Sequence, residues 1–209
     1  LPMKSLLCLR DVPVIDWVTR RLAQAAKLDG IMVAVPDTSL DRVLVEHLQR
    51  RGVPCVAGSE DDVLARFCLA ARTADAGRVV RVCADNPLIW AGAIDRLVDF
   101  YDQGGWDYAY NHIPRNNLWP DGLGAEILSR ELLEELDAKA VQTSQREHCL
   151  NYIWDNAASF KIGTFDPEED WLRRPELKLD MDRPDDFCRL ALKPIHPDMD
   201  ARDIVRVFG

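Results

Sequence analysis

The sequence contains no C-x-x-C pair, no run of basic residues, and no apolar stretch near the roughly 20 residues that a bilayer-spanning helix needs. The first absence argues against zinc, whose structural sites draw on closely spaced thiolates. The second argues against a general nucleic-acid binder, because phosphate neutralisation needs clustered positive charge. Here 26 Lys and Arg stand against 35 Asp and Glu, a formal net charge of −9. The third, with opening residues that lack the charged-then-apolar pattern of a secretory leader, points to a cytoplasmic protein without membrane insertion. The G-x-S-x-G elbow, H-E-x-x-H and G-x-x-x-x-G-K-S/T are missing as well.

What remains is an ordinary globular composition. The 209 residues are 47% apolar and 29% charged, enough for a full core in one domain with an elaboration. The six cysteines, at 8, 55, 68, 83, 149 and 188, fall mostly in apolar runs and read as buried free thiols.

Hydrophobic periodicity alternates between helix and strand. Helices are expected over 12–28 (with Asp11 as N-cap), 39–51, from Ser59 to about Ala74, and from about Ile89 to Gln103. Strands are expected at 30–36, 53–58 and 78–85. Such alternation implies parallel pairing in a three-layer α/β domain. The pattern then changes: a strand at 106–111, a polar loop at 112–122, a strand at 123–129, helices at 130–139 and 144–156, two late strands (ASFKIGTF and ELKLDMD) and two terminal helices. Residues 106–165 read as an elaboration of the single domain.

Ligands of open α/β sheets bind beyond the carboxyl ends of the strands. Asp85 ends the run VVRVCAD, just before Asn86-Pro87, and is placed either to hold a divalent metal or to stabilise the turn. In LDMDRPDDF, Asp180 and Asp182 are expected on one strand face. Asp185 and Asp186 suit the first turn of the next helix, which leaves Asp182 as the second metal candidate. Mg²⁺ asks for about one or two protein carboxylates alongside phosphate oxygens and water, so two converging aspartates suit a metal-nucleotide site. Gly58-Ser59 opens a helix at a strand end, followed by three acids that make a poor phosphate cradle, so the contact there would be to a base or a ribose. Asp121, Gly122 and Glu126 in WPDGLGAE, with Arg146 and His148 soon after, gather polar groups in one region. Arg115 and Arg146 are the arginines placed to bind a carboxylate or a phosphate.

The segments GSEDDVLARF, VVRVCADNPLI, WPDGLGAEILS, REHCLNYI and LKLDMDRPDDF together resemble, in that order, cytidylyltransferases of the spore-coat polysaccharide biosynthesis type. These are relatives of the enzymes that activate acylneuraminate and 3-deoxy-octulosonate sugars. The resemblance runs from Leu1 to about Leu192. It implies a nucleotide-diphospho-sugar transferase fold, glycosyltransferase type A-like, with a mixed, mainly parallel sheet. The family opens with a strand and a loop A-R-x-x-S-x-R-L-P-x-K. Only Leu1-Pro2-Met3-Lys4 matches its end, so the resemblance predicts about fifteen to twenty further residues upstream, with a central strand between 30–36 and 78–85.

By position, the resemblance assigns Lys4 to the triphosphate, Gly58 and Ser59 to cytosine or ribose, and Arg81 to the strand leading to the metal. It assigns Asp85 and Asp182 to Mg²⁺, and Asp121, Gly122, Glu126, Arg146 and His148 to the acceptor. The sequence departs from the family where Cys83-Ala84 replaces a small Thr/Ser-Gly pair and Asn86 replaces a cysteine. The implied reaction joins CMP from CTP to a sugar acid or related polyhydroxy acceptor and releases pyrophosphate. A homodimer through Leu118, Trp119, Leu123, Ile127, Tyr152 and Trp154 is also implied. The competing readings are another nucleoside triphosphate as donor, or a non-catalytic binding protein of the same fold.

Overall fold

The computed structural model describes residues 3–209, so the Leu1-Pro2 half of the Lys4 signature lies outside the described residues. A single 3₁₀ turn (Lys4–Leu6) leads into a hairpin of β1 (Cys8–Leu9) and β2 (Val12–Pro13). Arg10 and Asp11 join these strands with φ of 50° and 63°, the paired left-handed geometry of a type I′ turn. Asp11 is therefore spent on the turn and does not cap the helix. Helix α1 starts only at Val14 and ends at Leu22 (Val14–Leu22), with Val14, Ile15, Trp17, Val18 and Leu22 buried.

Strand β3 (Val33–Pro36), helix α2 (Arg42–Arg50) and strand β4 (Cys55–Gly58) form a β-α-β unit, and β3 and β4 pair in parallel as the alternation predicts. Helix α3 (Val63–Thr73) is capped by Asp62, whose carboxylate accepts the Ala65 N–H at 2.9 Å. Ser59 stands one step back and accepts the Asp62 N–H at 3.1 Å. Strand β5 (Arg78–Arg81) and helix α4 (Ala91–Gly104) follow, then β6 (Tyr108–Tyr110), β7 (Glu126–Ser129) and α5 (Arg130–Lys139). The helix expected over 144–156 is two pieces, α6 (Thr143–Glu147) and α7 (Asn151–Asp155). The break lets Cys149 and Leu150 turn into the core beside Leu64 and Cys68. Strand β8 (Ile162–Gly163) and helices α8 (Pro184–Ala191) and α9 (Ala201–Phe208) complete the chain.

The larger sheet has the order β5-β7-β6-β8. Strand β7 is antiparallel to both β5 and β6, and β6 and β8 are parallel, so the sheet is mixed. Residues 106–165 thus contribute three strands to the sheet that β5 begins. Among the described residues no ladder joins β3 to β5; the strand expected between them falls upstream of Leu1 and lies outside the described residues. Ile15 of α1 packs in one cluster with Val35, while Val18 and Leu22 share another with Ile31, Val80 and Val82. A groove of about 850 Å³ opens at the amino ends of β3 and β4, floored by Leu22, Ala25, Leu28, Ile31 and Val53.

The segment ELKLDMD is extended but forms only one bridge, Lys178 to Asp121. Asp121 and residues 177–179 exchange two backbone hydrogen bonds of 2.9 Å there. The thiol expectation needs correction: Cys68 and Cys149 are buried, but Cys8 and Cys188 are exposed. So does the dimer surface, because Trp119, Leu123 and Ile127 lie inside the core and cannot face a partner. Among the described residues, no helix is long and apolar enough to cross a membrane.

Candidate active site

Because β7 is antiparallel to both β5 and β6, these two strands run the same way. The loop leaving β5 toward Asp85 and the loop leaving β6 toward Asp121 therefore emerge on one rim. Gly122 fixes the second loop. It sits at φ +92°, and a Cβ there would stand 2.8 Å from the Asp180 backbone nitrogen. A Cβ at Gly124 would collide with the Asn111 carbonyl oxygen. This close approach lays the turn against residues 179–180 and brings Asp121 beside the late acidic cluster.

The rim holds alternating charge. Lys4 Nζ donates to Asp85 Oδ2 at 2.5 Å, and the Asp85 side chain is 15% exposed. Lys178 Nζ lies 3.0 Å from Asp180, 3.1 Å from Asp182 and 3.3 Å from Asp186. Asp121 makes no such contact among the described residues. Burial, then the negative charge of Asp180, raises its carboxyl to about 7 against the opposing Lys178 ammonium, with smaller contributions from Asp182 and Asp85. Burial also raises Asp180, whereas in Asp182 the Lys178 ammonium outweighs burial and holds the carboxyl low. The carboxylates at 85 and 182, distant in sequence, thus act on one group. Asp180 and Asp182 converge through Lys178, not through a shared strand face.

Asp121 makes stability depend on pH. Its folded pKa lies above the ordinary value of about 3.9, so the native state holds the proton more tightly than the unfolded chain. That contribution is complete below about pH 4 and is lost as pH rises toward 7. After discounting for solvent access, the loss is on the order of 1–2 kcal/mol. Urea midpoints measured across this window should fall less steeply in Asp121→Asn than in the parent; identical slopes would contradict the assignment.

Below the rim is a buried ion pair. The Arg81 guanidinium donates to Glu126, Tyr108 Oη donates to the same carboxylate at 2.6 Å, and His112 Nε2 lies 3.8 Å away. Burial works against both charges, but each partner more than offsets it. Arg81 is raised and Glu126 lowered. Arg81 and Glu126, expected at nucleotide and acceptor, are spent on each other inside the sheet. Arg146, expected at the acceptor, donates to Asp62 (Nε 3.0 Å, Nη2 2.5 Å) and to Asp137 (Nη2 2.7 Å), tying α6 to α3 and α5. His148 is exposed at the carboxyl end of α6. Gly58 and Ser59 end β4 in a turn whose Ser59 carbonyl accepts from Arg66 Nη1. Burial pushes the Cys83 thiol up to about 11 and the Cys149 thiol to about 12, so neither is a nucleophile.

Among the described residues no three His, Cys, Asp or Glu side chains form a metal cage. The donor set still fits magnesium. Hard carboxylate oxygens at 85 and 182, one or two per ion, are what Mg²⁺ takes when phosphates and water complete its shell. Lys178, four residues before Asp182, is the group that sequence reasoning missed. Its i, i+2, i+4 and i+8 spacing to Asp180, Asp182 and Asp186 was the available signal.

The family model described as cytidylyltransferase matches residues 1–195. An uncharacterised protein of Methanocaldococcus jannaschii, MJ1063, is 34% identical over 184 residues, covering 88% of this chain and 73% of that protein. The spore coat polysaccharide biosynthesis protein SpsF of Bacillus subtilis is 24% identical over 220 residues, covering 100% of this chain and 88% of that protein. The structure of a cytidylyltransferase from Leptospira borgpetersenii superposes with a TM-score of 0.87 at 26% identity, over 99% of this chain and 87% of that one. The chain belongs to the cytidylyltransferase family and is a CTP-dependent nucleotidyltransferase.

Proposed function

We propose that the protein transfers CMP from CTP to a sugar acid or related polyhydroxy acceptor, releasing pyrophosphate, in the biosynthesis of a surface polysaccharide. The observation that carries this reading is the convergence of Asp85, Asp121, Asp180 and Asp182, with Lys4 and Lys178, on the carboxyl rim of the sheet. Four acids and two ammonium groups suit a ligand that brings both phosphate and cation. The biosynthetic setting is supported by the similarity to SpsF.

Asp85 and Asp182 are the residues to hold Mg²⁺, which when bound offsets the charge of the phosphate oxygens and orients the triphosphate. Lys4 leaves Asp85 for the phosphates. Gly58 and Ser59, at the end of β4, face the base and ribose. Asp121 and His148 stand on the acceptor side. The acceptor oxygen attacks the α-phosphorus in line, and catalysis comes from positioning and from cations placed where charge builds. Such a reaction asks for no histidine base.

The test is pyrophosphate release with Mg²⁺, each of CTP, UTP, GTP and ATP, and a panel of ulosonic and nonulosonic acids. Release is expected with CTP and at least one acid. No release above background with any combination would overturn the reading.

A further inference from the structure

An anionic acceptor needs a cation whose hydrogen-bond donors are free. The sequence offers two arginines for this role, Arg115 and Arg146, and the structure separates them. Arg146 is bound on three sides: Nε and Nη2 to Asp62, Nη2 to Asp137, and Nη1 to the Asp137 carbonyl at 2.7 Å. Arg115 has no carboxylate partner among the described residues. Its guanidinium carbon lies 3.9 Å from the centroid of the Trp154 ring. Attraction to a ring face leaves all five N–H donors unspent, and a planar guanidinium presents them as a fork that matches a carboxylate.

The platform is rigid. Trp154 packs edge-on against Tyr108 and Tyr110, at centroid distances of 5.6 and 5.2 Å. The Arg115 carbonyl accepts from Tyr110 Oη at 2.6 Å and from Asn117 Nδ2 at 3.0 Å. Asn117 is itself buried. An otherwise exposed arginine is thus held at both its backbone and its side chain. It stands on the loop that leaves β6 and passes through Asp121, on the rim that carries Asp85.

We propose that Arg115, seated on Trp154, is the specificity-determining residue that recognises the acceptor carboxylate. Arg146 only braces the helices beside it. This assignment rests on the acceptor being a sugar acid, as argued above.

The experiment compares 3-deoxy-octulosonate and N-acetylneuraminate with their methyl esters, which keep the hydroxyls and lose the charge. Pyrophosphate release is followed at saturating CTP and Mg²⁺, and the CTP Kd is measured by calorimetry. The parent should favour acid over ester by about 100-fold in kcat/KM, the size expected when a charged hydrogen-bonding site meets a substrate lacking the group. Arg115→Gln should bring that ratio near one, chiefly through the KM for the acid, with the CTP Kd within about twofold. Trp154→Leu, which keeps the charge and removes the platform, should give an intermediate ratio. If Arg115→Gln discriminates as the parent does, this assignment alone falls. If the parent binds CTP but uses no acid, the acceptor reading falls and the assignment with it.

Discussion

Asp85→Asn should lower nucleotidyl transfer by roughly 10³-fold in kcat while leaving the fold intact. The estimate follows from the several kcal/mol that a metal contributes to offsetting transition-state charge, at about 1.4 kcal/mol per factor of ten. Asparagine keeps the size of the side chain and removes the charge that attracts both Mg²⁺ and the Lys4 ammonium. The turn itself does not depend on that charge. Asn86 and Pro87 are buried, the Asn86 N–H donates to the Cys83 carbonyl at 3.2 Å, and the Ile89 N–H donates to Asn86 at 3.1 Å. Melting should therefore shift by only a few degrees. Asp182→Asn should cost less, on the order of tenfold, because that side chain is 56% exposed and shares Lys178 with two other acids. Steady-state rates of both variants with CTP and Mg²⁺ decide the matter. An Asp85→Asn enzyme within tenfold of the parent would remove Asp85 from the metal site.

The largest effect on stability is expected inside the sheet. Glu126→Ala leaves the Arg81 guanidinium buried without its carboxylate and strips Tyr108 of its acceptor. Breaking one side of a buried pair costs about 3–5 kcal/mol. Replacing both partners, as Arg81→Met with Glu126→Leu, should restore most of that loss, because two apolar chains carry no desolvation penalty there. Urea unfolding of the single and double variants measures the difference. If the double variant folds and still binds CTP, the pair is architectural. If it folds and has lost CTP, Arg81 belongs to the binding machinery after all.

The fold was legible wherever local chemistry decides. Proline and β-branched runs marked β3, β4 and β5, although β5 stops at Arg81, four residues short of the Asp85 at which it was expected to end. Less legible were features set by distant neighbours. Helix 144–156 is broken because Cys149 and Leu150 find room in the core, which no periodicity records. Arg81, Glu126 and Arg146 carry the residue types of a polar site, and what removes them from it is the arrival of Asp62, Asp137 and each other. Sequence gives charge and spacing; it does not give which opposite charge lies across the sheet. Asp121 shows the reverse. A residue that reads as an ordinary turn former becomes an acid that holds its proton well above the usual carboxylate range, because folding buries it and crowds it with like charge.

The close approach at Gly122 limits how this loop can vary. Any Cβ at that step would meet the Asp180 backbone, so even alanine is barred there, while the exposed side chains of the same loop remain open to change. The loop carrying Asp121 can therefore diversify what it displays without altering the step that seats it.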